Sequence, residues 1–237
     1  MSNIVIGIEG LVGAGKTSIC RKLLKLIPNS IILHGGNLYR GIVLALLSSS
    51  GNIDLKKFKE NIKDIDIKKV MDTLKVEFKI ENRESVVYVD SKKIDENKLQ
   101  SEDASLAVSI AGANANSEKF YVFARHLINM YKQEYNVIVS GRDLMKIYPE
   151  LDYHFFIIAD LDARVERKAK QYTEYEKIDA NIKHVSKEEL RKHIETRDKL
   201  QEEAGFYKRY SITQDIDVTD CKNARESALK VMEKIAQ

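Results

Sequence analysis

The feature that most constrains the fold lies near the start of the chain, where an apolar run leads through a glycine-rich turn into a helical pattern. Residues 4–8 read IVIGI, which is typical of a strand buried on both faces of a parallel sheet. Residues 10–17 read GLVGAGKT and match the spacing G-x-x-x-x-G-K-[ST] at every position. Beyond Lys16, apolar residues recur at helical spacing until Pro28, where the helix is expected to end. A strand, this turn and a helix in that order predict an α/β fold that binds a nucleoside triphosphate.

The chemistry of this motif assigns a role to its residues. Small residues let successive backbone N–H groups turn toward a polyphosphate, and the positive N-terminal end of the following helix adds to the attraction. Lys16 is expected to reach the β- and γ-phosphates, and the Thr17 hydroxyl to bind Mg²⁺. The residues predicted to bind the nucleotide are Gly10, Gly13, Ala14, Gly15, Lys16, Thr17 and Ser18. A glycine-rich turn with a chance lysine is the alternative, and the flanking strand and helix disfavour it.

Composition limits the class of protein. The chain has 237 residues, of which 43% are hydrophobic and 32% charged, which suits a soluble protein with a sizeable core. Its formal net charge of +3 is too small to favour a nucleic-acid partner. No apolar run reaches the ~20 residues of a membrane helix and no signal peptide precedes the first strand, so we expect a cytoplasmic monomer without membrane contact. Cys20 and Cys221, both placed in predicted helices, match no metal-ligand spacing, and we expect no disulfide between them.

Strand and helix patterns alternate along much of the chain. Short strands are predicted at residues 30–33, 136–140, 153–159 and 215–219, and helical patterns follow the first, third and fourth of them. The last of these helical patterns covers residues 222–235. Strands that alternate with helices in this way favour a doubly wound parallel sheet.

The segment of residues 52–100 differs from these units. It begins with lysine-rich helical patterns at residues 54–65 and 67–74. It continues with KVEFKIE and SVVYVD, which alternate with period two on either side of a turn and predict a β-hairpin. We therefore expect an inserted subdomain of helices and a hairpin, with a core formed by residues 1–51 and 101–237.

Two further stretches narrow the reaction that such a nucleotide-binding protein performs. NLYRG places Tyr39 and Arg40 on the first turns of the helix after the second strand. SGRDL places Arg142 and Asp143 at the carboxyl end of the third core strand, where open α/β sheets bind ligands. The sequence has neither the N-K-x-D of a GTPase nor the apolar run ending in Asp-Glu of a motor, and a small phosphotransferase remains.

Basic residues are also concentrated in the helix after the fourth core strand. Arg164 and Arg167, in ARVERK, are one helical turn apart and are expected to project from one face. The polar stretch that follows has no stable period, and we predict a mobile lid over about residues 170–186. Ser186 and Glu189 are then expected to form a capping box at the start of the next helix.

The order GLVGAGKT, GGNLYR, a helix-plus-hairpin insert, SGRD, ARVERK and ETRD resembles that of bacterial cytidylate (CMP/dCMP) kinases over nearly the whole chain. The resemblance implies a nucleoside-monophosphate-kinase fold, ATP as phosphate donor, Mg²⁺, and a nucleotide-like acceptor. The residues with a catalytic role by this resemblance are Lys16, Arg142, Arg164 and Arg167, the two last as part of the lid. The residues that contact the acceptor by the same resemblance are Tyr39, Arg40, Arg142, Asp143 and Arg197. Of these, Asp143 is expected to hydrogen-bond the amino edge of cytosine.

Three stretches of the sequence depart from the pattern of that family. HGG, at residues 34–36, stands where the family has Asp-Ser/Thr-Gly. The family also has an arginine on the helix after the insert, whereas that helix has no arginine before Arg125 here. Gln201 and Ala204 stand at late positions of the R-D-x-x-D-x-x-R pattern, whose second Asp serves the ribose. A related kinase with another acceptor, such as a nucleoside, an antibiotic or another metabolite, therefore remains open. A nucleotide-binding module without turnover is disfavoured, because Lys16 and Thr17 of the phosphate-binding loop at residues 10–17 (the P-loop) and Arg142 of SGRD are intact.

Overall fold

The computed structural model of the chain describes residues 2–49, 73, 75–99, 117–178 and 185–236. The strands in these ranges are β1 (Val5–Gly10), β2 (Ser30–His34), β3 (Val76–Glu81), β4 (Glu84–Val89), β5 (Lys92–Lys93), β6 (Asn136–Ser140), β7 (Tyr153–Ile158) and β8 (Thr213–Asp217). The helices are α1 (Lys16–Leu26), α2 (Gly35–Ser49), α3 (Glu96–Leu99), α4 (Ser117–Lys132), α5 (Leu144–Ile147), α6 (Leu161–Ile178), α7 (Lys187–Glu203) and α8 (Ala224–Ile235). Among the described helices, none is both long and apolar enough to cross a membrane.

β1 lies at the centre of the sheet, whose order is β3-β4-β2-β6-β1-β7-β8 with β5 paired to β4. The five strands β2, β6, β1, β7 and β8 run parallel, and β1 is the middle one of these five. Ile6 of β1 pairs with Ile138 of β6 on one side and with Tyr153 of β7 on the other. After β1 the chain continues to β2 on one side, and after β6 it continues to β7 on the other side. The loops after β1 and β6 therefore diverge at a topological switch point, where open α/β sheets bind ligands. The predicted doubly wound sheet is confirmed.

Apolar side chains cover both faces of the sheet, which explains the uninterrupted apolar run of β1. Val5 packs in one cluster with residues of α2, α4 and α5. Ile6 and Ile8 pack in a second cluster with residues of α1 and α8. Because helices lie against both faces, every residue of β1 is buried and the sheet is rigid where the next loop begins.

The predicted strands are present, with some ends shifted. Residues 136–140 form β6 as predicted, whereas β7 ends one residue before the predicted end at residue 159. β8 begins at Thr213 rather than at residue 215, because Thr213 pairs with His154 of β7 and its hydroxyl oxygen lies 2.8 Å from His154 Nδ1. β8 reads TQDID, and Ile216 is its one buried residue, so hydropathy alone gives little indication of where this edge strand starts.

α8 begins two residues later than predicted. The side chain of Asn223 caps it by accepting hydrogen bonds from the backbone N–H groups of Arg225 and Glu226 at 3.0 and 3.1 Å. The prediction that Cys221 lies in a helix is therefore wrong, whereas Cys20 lies in α1 as predicted. Both cysteines are free thiols.

β3 and β4 form the predicted antiparallel hairpin. Asn82 and Arg83, at its turn, have φ values of 49° and 68°, which suit a tight two-residue hairpin loop. β4 also pairs in parallel with β2, where Ile32 faces Glu84, so the hairpin extends one edge of the main sheet. The two helices predicted before it lie almost entirely outside the described residues, and the inserted subdomain at residues 52–100 stays a prediction.

α6 and α7 pack side by side next to the loop after β1. The buried apolar residues that join the two helices and the loop are Val12, Val165, Leu190 and Ile194. α6 continues as far as Ile178, so the first part of the predicted lid at residues 170–186 is helical, and residues 179–184 lie outside the described ranges. α7 follows the predicted capping box of Ser186 and Glu189, which is confirmed. The lid itself stays a prediction.

Candidate active site

The loop between β1 and α1 takes a conformation that its glycines permit. Gly10, Gly13 and Gly15 have φ values of 142°, 78° and 91°, which residues with a Cβ rarely adopt. A Cβ on Gly10 would also lie 2.2 Å from the carbonyl oxygen of Ile157. Gly15 caps α1 without a side chain, so the N–H groups of the first helical turn remain donors for an anion.

A cavity of about 760 Å³ opens beside this loop. Its wall is formed by the P-loop, the start of α2, the loop after β6, α6, α7 and the residues around the start of α8. The predicted site residues that line it are Gly13, Ala14, Gly15, Lys16, Thr17, Ser18, Tyr39, Arg40, Arg142, Asp143, Arg167 and Arg197. Gly10 and Arg164 do not line it. Its volume lies in the range of roughly 300–1,000 Å³ that is typical of small-molecule sites.

Four of these residues, Lys16, Arg40, Arg142 and Arg197, are basic side chains whose pKa values are lowered. Burial lowers the pKa of the Lys16 ammonium well below its ordinary value, and the charges of Arg142 and Arg197 lower it further. Burial likewise lowers the pKa of Arg40 to about 9, with Arg197 and Arg142 as further causes. Burial is also the largest cause of the lowered pKa values of Arg142 and Arg197. The cavity therefore holds its cations at a free-energy cost that a bound anion would offset.

The hydrogen bonds of Arg40 and Arg142 do not neutralise the charges of these side chains. Arg40 donates to Asn37 Oδ1 at 3.1 Å, and Arg142 Nε donates to Gln201 Oε1 at 2.6 Å. Both acceptors are uncharged amide oxygens. The Nε atoms of Arg40 and Arg197 are buried and have no hydrogen-bond partner in the part of the chain that the structure describes. This pattern leaves the positive charge of the cavity available to a ligand.

Lys16 and Thr17 complete the phosphate end of the cavity. Lys16 Nζ donates to the carbonyl oxygens of Gly10 and Leu11 at 3.0 and 2.7 Å, which leaves one of its three donors for a ligand. The described ranges contain no group of three or more His, Cys, Asp or Glu that could hold a metal ion. Mg²⁺ is commonly bound through substrate phosphates, water and one or two protein oxygens, and the half-buried Thr17 hydroxyl fits that manner of binding.

Asp143 lies three residues after the end of β6 and has a left-handed backbone conformation, φ 55°. Its carboxylate accepts hydrogen bonds from the Tyr121 hydroxyl at 2.5 Å and from Lys146 Nζ at 3.0 Å, and the residue is only 6% exposed. Burial raises the pKa of Tyr39, and the negative charge of Asp143 raises it further. Tyr121 also lines the cavity, and no sequence motif indicates it, because a tyrosine on an amphipathic helix is usually a packing residue.

His34, at the end of β2, belongs to a chain of hydrogen-bonded side chains at one end of the cavity. Its Nε2 lies 2.8 Å from a carboxylate oxygen of Glu84 on β4. Glu84 also pairs with Arg21 of α1 at 3.0 Å, and Arg21 pairs with Glu96 of α3 at 2.9 Å. His34, Arg21 and Glu96 line the cavity.

Arg164 and Arg167 are one turn apart on α6, but their guanidinium groups contact different parts of the protein. Arg164 is 7% exposed, donates to the carbonyl oxygen of Val12 at 3.1 Å and forms an ion pair with Asp198. Arg167 donates to the carbonyl oxygen of Val218 and lines the cavity. Of the two residues predicted to face the transferred group, Arg167 therefore lies at the cavity and Arg164 supports the P-loop from outside it.

A mainly parallel sheet with this loop after β1, and a cavity whose lining includes Lys16, Arg40, Arg142 and Arg197, define a P-loop phosphotransferase. The family model of cytidylate kinase matches residues 6–237. The chain belongs to the cytidylate kinase family and is an ATP-dependent kinase. The resemblance inferred from the order of its motifs is thereby confirmed at the level of the family.

Individual relatives are distant. The cytidylate kinase of Pseudothermotoga lettingae is 28% identical over 202 residues, which cover 84% of this chain and 78% of that protein. The cytidylate kinase of Clostridioides difficile is 28% identical over 172 residues, which cover 72% of each. Among solved structures, shikimate kinase from Acinetobacter baumannii in complex with shikimate matches with a TM-score of 0.41 and 13% identity, over 99% of this chain and 93% of that one.

Proposed function

We propose that this protein transfers the γ-phosphoryl group of ATP to the phosphate of a cytidine monophosphate, CMP or dCMP. The observation that carries the proposal is a set of four cations in one cavity between the P-loop and the end of β6: Lys16, Arg40, Arg142 and Arg197. The first three of these donate hydrogen bonds to uncharged oxygens. A triphosphate donor and a phosphate acceptor bring several negative charges together, and fixed cations stabilise them in a site of this kind. The relatives' shared name, cytidylate kinase, supports a cytidine nucleotide as the acceptor.

On the donor side, we assign the phosphates of ATP to the backbone N–H groups of residues 13–18 and to the Lys16 ammonium. The N-terminal end of α1 points its positive dipole at the same place. The Thr17 hydroxyl would hold Mg²⁺, which neutralises phosphate charge when bound. Arg167 lines the cavity from α6 and is assigned to the transferring group.

On the acceptor side, we assign the phosphate to Arg40, Arg142 and Arg197. Burial lowers the pKa values of all three, and repulsion from neighbouring arginines lowers those of Arg40 and Arg197 further. An acceptor phosphate would offset this cost. Asp143 is assigned to the amino group of cytosine, since a carboxylate accepts hydrogen bonds and that amino group donates them. Tyr39 lines the same part of the cavity and would pack against the acceptor.

The proposed reaction needs alignment and charge stabilisation more than a covalent catalyst. An oxygen of the acceptor phosphate forms a bond to the γ-phosphorus while the bond from that phosphorus to the bridging oxygen of ADP breaks. The acceptor oxygen is largely ionised at neutral pH, because the second pKa of a phosphate monoester is about 6, so no general base is required. The protein's cations hold the two substrates in line and stabilise the charge on the transferred group.

A second candidate is phosphoryl transfer to a different small acceptor. Gln201 stands at the position where the resemblance implies a ribose-binding Asp, and it accepts a hydrogen bond from Arg142. His34 belongs to the triplet that the resemblance places near the base, and its Nε2 is hydrogen-bonded to Glu84. These contacts favour an altered recognition of the sugar and base, while the phosphate-binding cations are the same for both candidates.

The experiment that separates the candidates measures ADP release from Mg·ATP with a panel of nucleoside monophosphates, nucleosides and common metabolites. A preference for CMP or dCMP of tenfold or more in kcat/KM supports the first proposal. Preference for another acceptor supports the second, and no turnover with any compound, despite tight ATP binding, contradicts both. Lys16→Ala is the control for activity that does not come from this site.

We also propose that the enzyme acts as a monomer in the cytoplasm. The free thiols of Cys20 and Cys221 are compatible with a reducing compartment. Light scattering at micromolar concentration tests the monomer, and a mass of twice the 27.1 kDa of the chain would contradict it.

A further inference from the structure

We propose that Asp198 is a positioning residue that holds the P-loop in its phosphate-binding conformation by linking it to α7. This inference rests on the proposed use of the loop to bind ATP. Asp198 Oδ1 accepts a hydrogen bond at 3.1 Å from the backbone N–H of Val12, which lies 186 residues earlier in the chain. Val12 directly precedes Gly13, where the loop turns around the cavity.

The backbone N–H and the backbone carbonyl of Val12 both form hydrogen bonds with the ion pair of Asp198 and Arg164. Asp198 accepts from its N–H, and Arg164, which pairs with Asp198, donates to its carbonyl oxygen at 3.1 Å. The side chains of Arg164 and Asp198 are only 8% and 19% exposed, so water competes little for these charge-assisted hydrogen bonds. The hydroxyl of Tyr207 donates to the same carboxylate oxygen that accepts from Val12, Asp198 Oδ1. The contacts therefore fix both the place and the orientation of the loop at this residue.

α7 also carries two residues, Arg197 and Gln201, on the acceptor side of the cavity. Arg197, next to Asp198, lines the cavity, and Gln201, about one turn further on, accepts from Arg142. One helix thus holds the loop that faces the donor and the cations that face the acceptor. Because phosphoryl transfer depends on the alignment of the two substrates, a weakened link at Asp198 should lower turnover as well as ATP affinity.

Asp198→Asn tests this role. Asparagine keeps an oxygen that can accept from the Val12 N–H but removes the charge that pairs with Arg164. We expect the dissociation constant of a non-hydrolysable ATP analogue to rise by about tenfold or more, as the loss of a buried charged hydrogen bond implies, with a similar fall in kcat. Asp162→Asn is the matched control, because Asp162 of α6 pairs with Arg191 of α7 at the surface, and this ion pair does not involve the P-loop. It should change the dissociation constant by less than twofold.

A second measurement begins with the wild-type protein, and this first part does not depend on the variant folding. Hydrogen exchange followed by NMR should show the Val12 amide protected without ligand, and exchange at that amide should accelerate at least tenfold in Asp198→Asn. An unprotected Val12 amide in the wild type, or an analogue affinity in the variant within twofold of wild type, would overturn the proposal. The analogue affinity and the exchange rate are both measured without an acceptor, so a failure of the cytidine assignment in the panel assay leaves these two readouts unaffected.

Discussion

Replacing Arg40 by glutamine should make the ligand-free protein more stable and the enzyme less active. Burial, with Arg197 and Arg142, lowers the pKa of Arg40 from 12.5 to about 9. At about 1.4 kcal/mol per pKa unit, keeping this guanidinium charged in the folded protein costs roughly 5 kcal/mol. Because the pKa in the folded protein lies below that in the unfolded chain, the cost is fully present below about pH 9 and disappears as the pH approaches 12.5.

The net gain in stability is smaller than this cost. Glutamine removes the charge of Arg40 but also part of its packed side-chain stem. We expect the free energy of unfolding at neutral pH to rise by about 1–2 kcal/mol, which corresponds to roughly 2–8 °C in Tm for a chain of this length. The KM for the acceptor should rise about 10- to 100-fold, since a hydrogen bond to a charged group contributes about 1.5–3 kcal/mol.

Urea unfolding of the ligand-free proteins measures the first effect, and initial rates at varied CMP measure the second. Lys170→Gln is the matched control, because Lys170 lines the same cavity but is exposed, and it should change the free energy of unfolding by less than about 0.5 kcal/mol. The advantage of Arg40→Gln should shrink above pH 9. A variant less stable than wild type at neutral pH, with an unchanged control, would refute the view that the site holds its cations at a cost.

Two further variants test the assignment of donor and acceptor sides. Lys16→Ala should lower kcat/KM by about 10²-fold or more, because a positioned cation on the developing phosphoryl charge contributes several kcal/mol. Turnover within a few-fold of wild type would show that the P-loop is not the catalytic loop. Arg142→Ala should raise the KM for the acceptor more than that for ATP, and an equal rise in both would assign Arg142 to the donor.

The local parts of the site could be predicted from the sequence, because their structure depends on residues close together in the chain. Three glycines at fixed spacing between an apolar strand and a helix define the P-loop, and its φ values agree with that requirement. SGRD follows a strand, so Arg142 and Asp143 could be placed at the carboxyl end of the sheet. The order of the strands then brings both stretches to one switch point.

The contacts between distant segments could not be predicted in the same way. Val12 and Asp198 are 186 residues apart, and Arg142 and Gln201 are 59 apart, so no spacing rule connects them. Arg164 illustrates the consequence. Its position one turn before Arg167 predicts a shared face, but the choice of partner depends on how α6 packs against α7 and the P-loop. Helical periodicity indicates which residues lie together on a helix and not what each side chain reaches.

Gln201→Glu tests whether the amide at this position keeps Arg142 charged toward the acceptor. The change is nearly isosteric and places a negative charge at the atom that accepts from Arg142 Nε at 2.6 Å, in a residue only 6% exposed. A carboxylate there would form an ion pair with Arg142, so we expect the KM for the acceptor to rise about tenfold or more while the KM for ATP changes less than about threefold.

A contact with the ribose, the role that the resemblance implies for this position, predicts a different outcome. A glutamate still accepts hydrogen bonds from sugar hydroxyls, so in that role the substitution would leave the acceptor KM near its wild-type value. Gln201→Met is the control that removes the hydrogen bond without adding charge, and its effect on the acceptor KM should be smaller than that of glutamate. If glutamate and methionine have equal effects, the charge of Arg142 is not what Gln201 preserves, and the role of uncharged partners in this cavity would have to be abandoned.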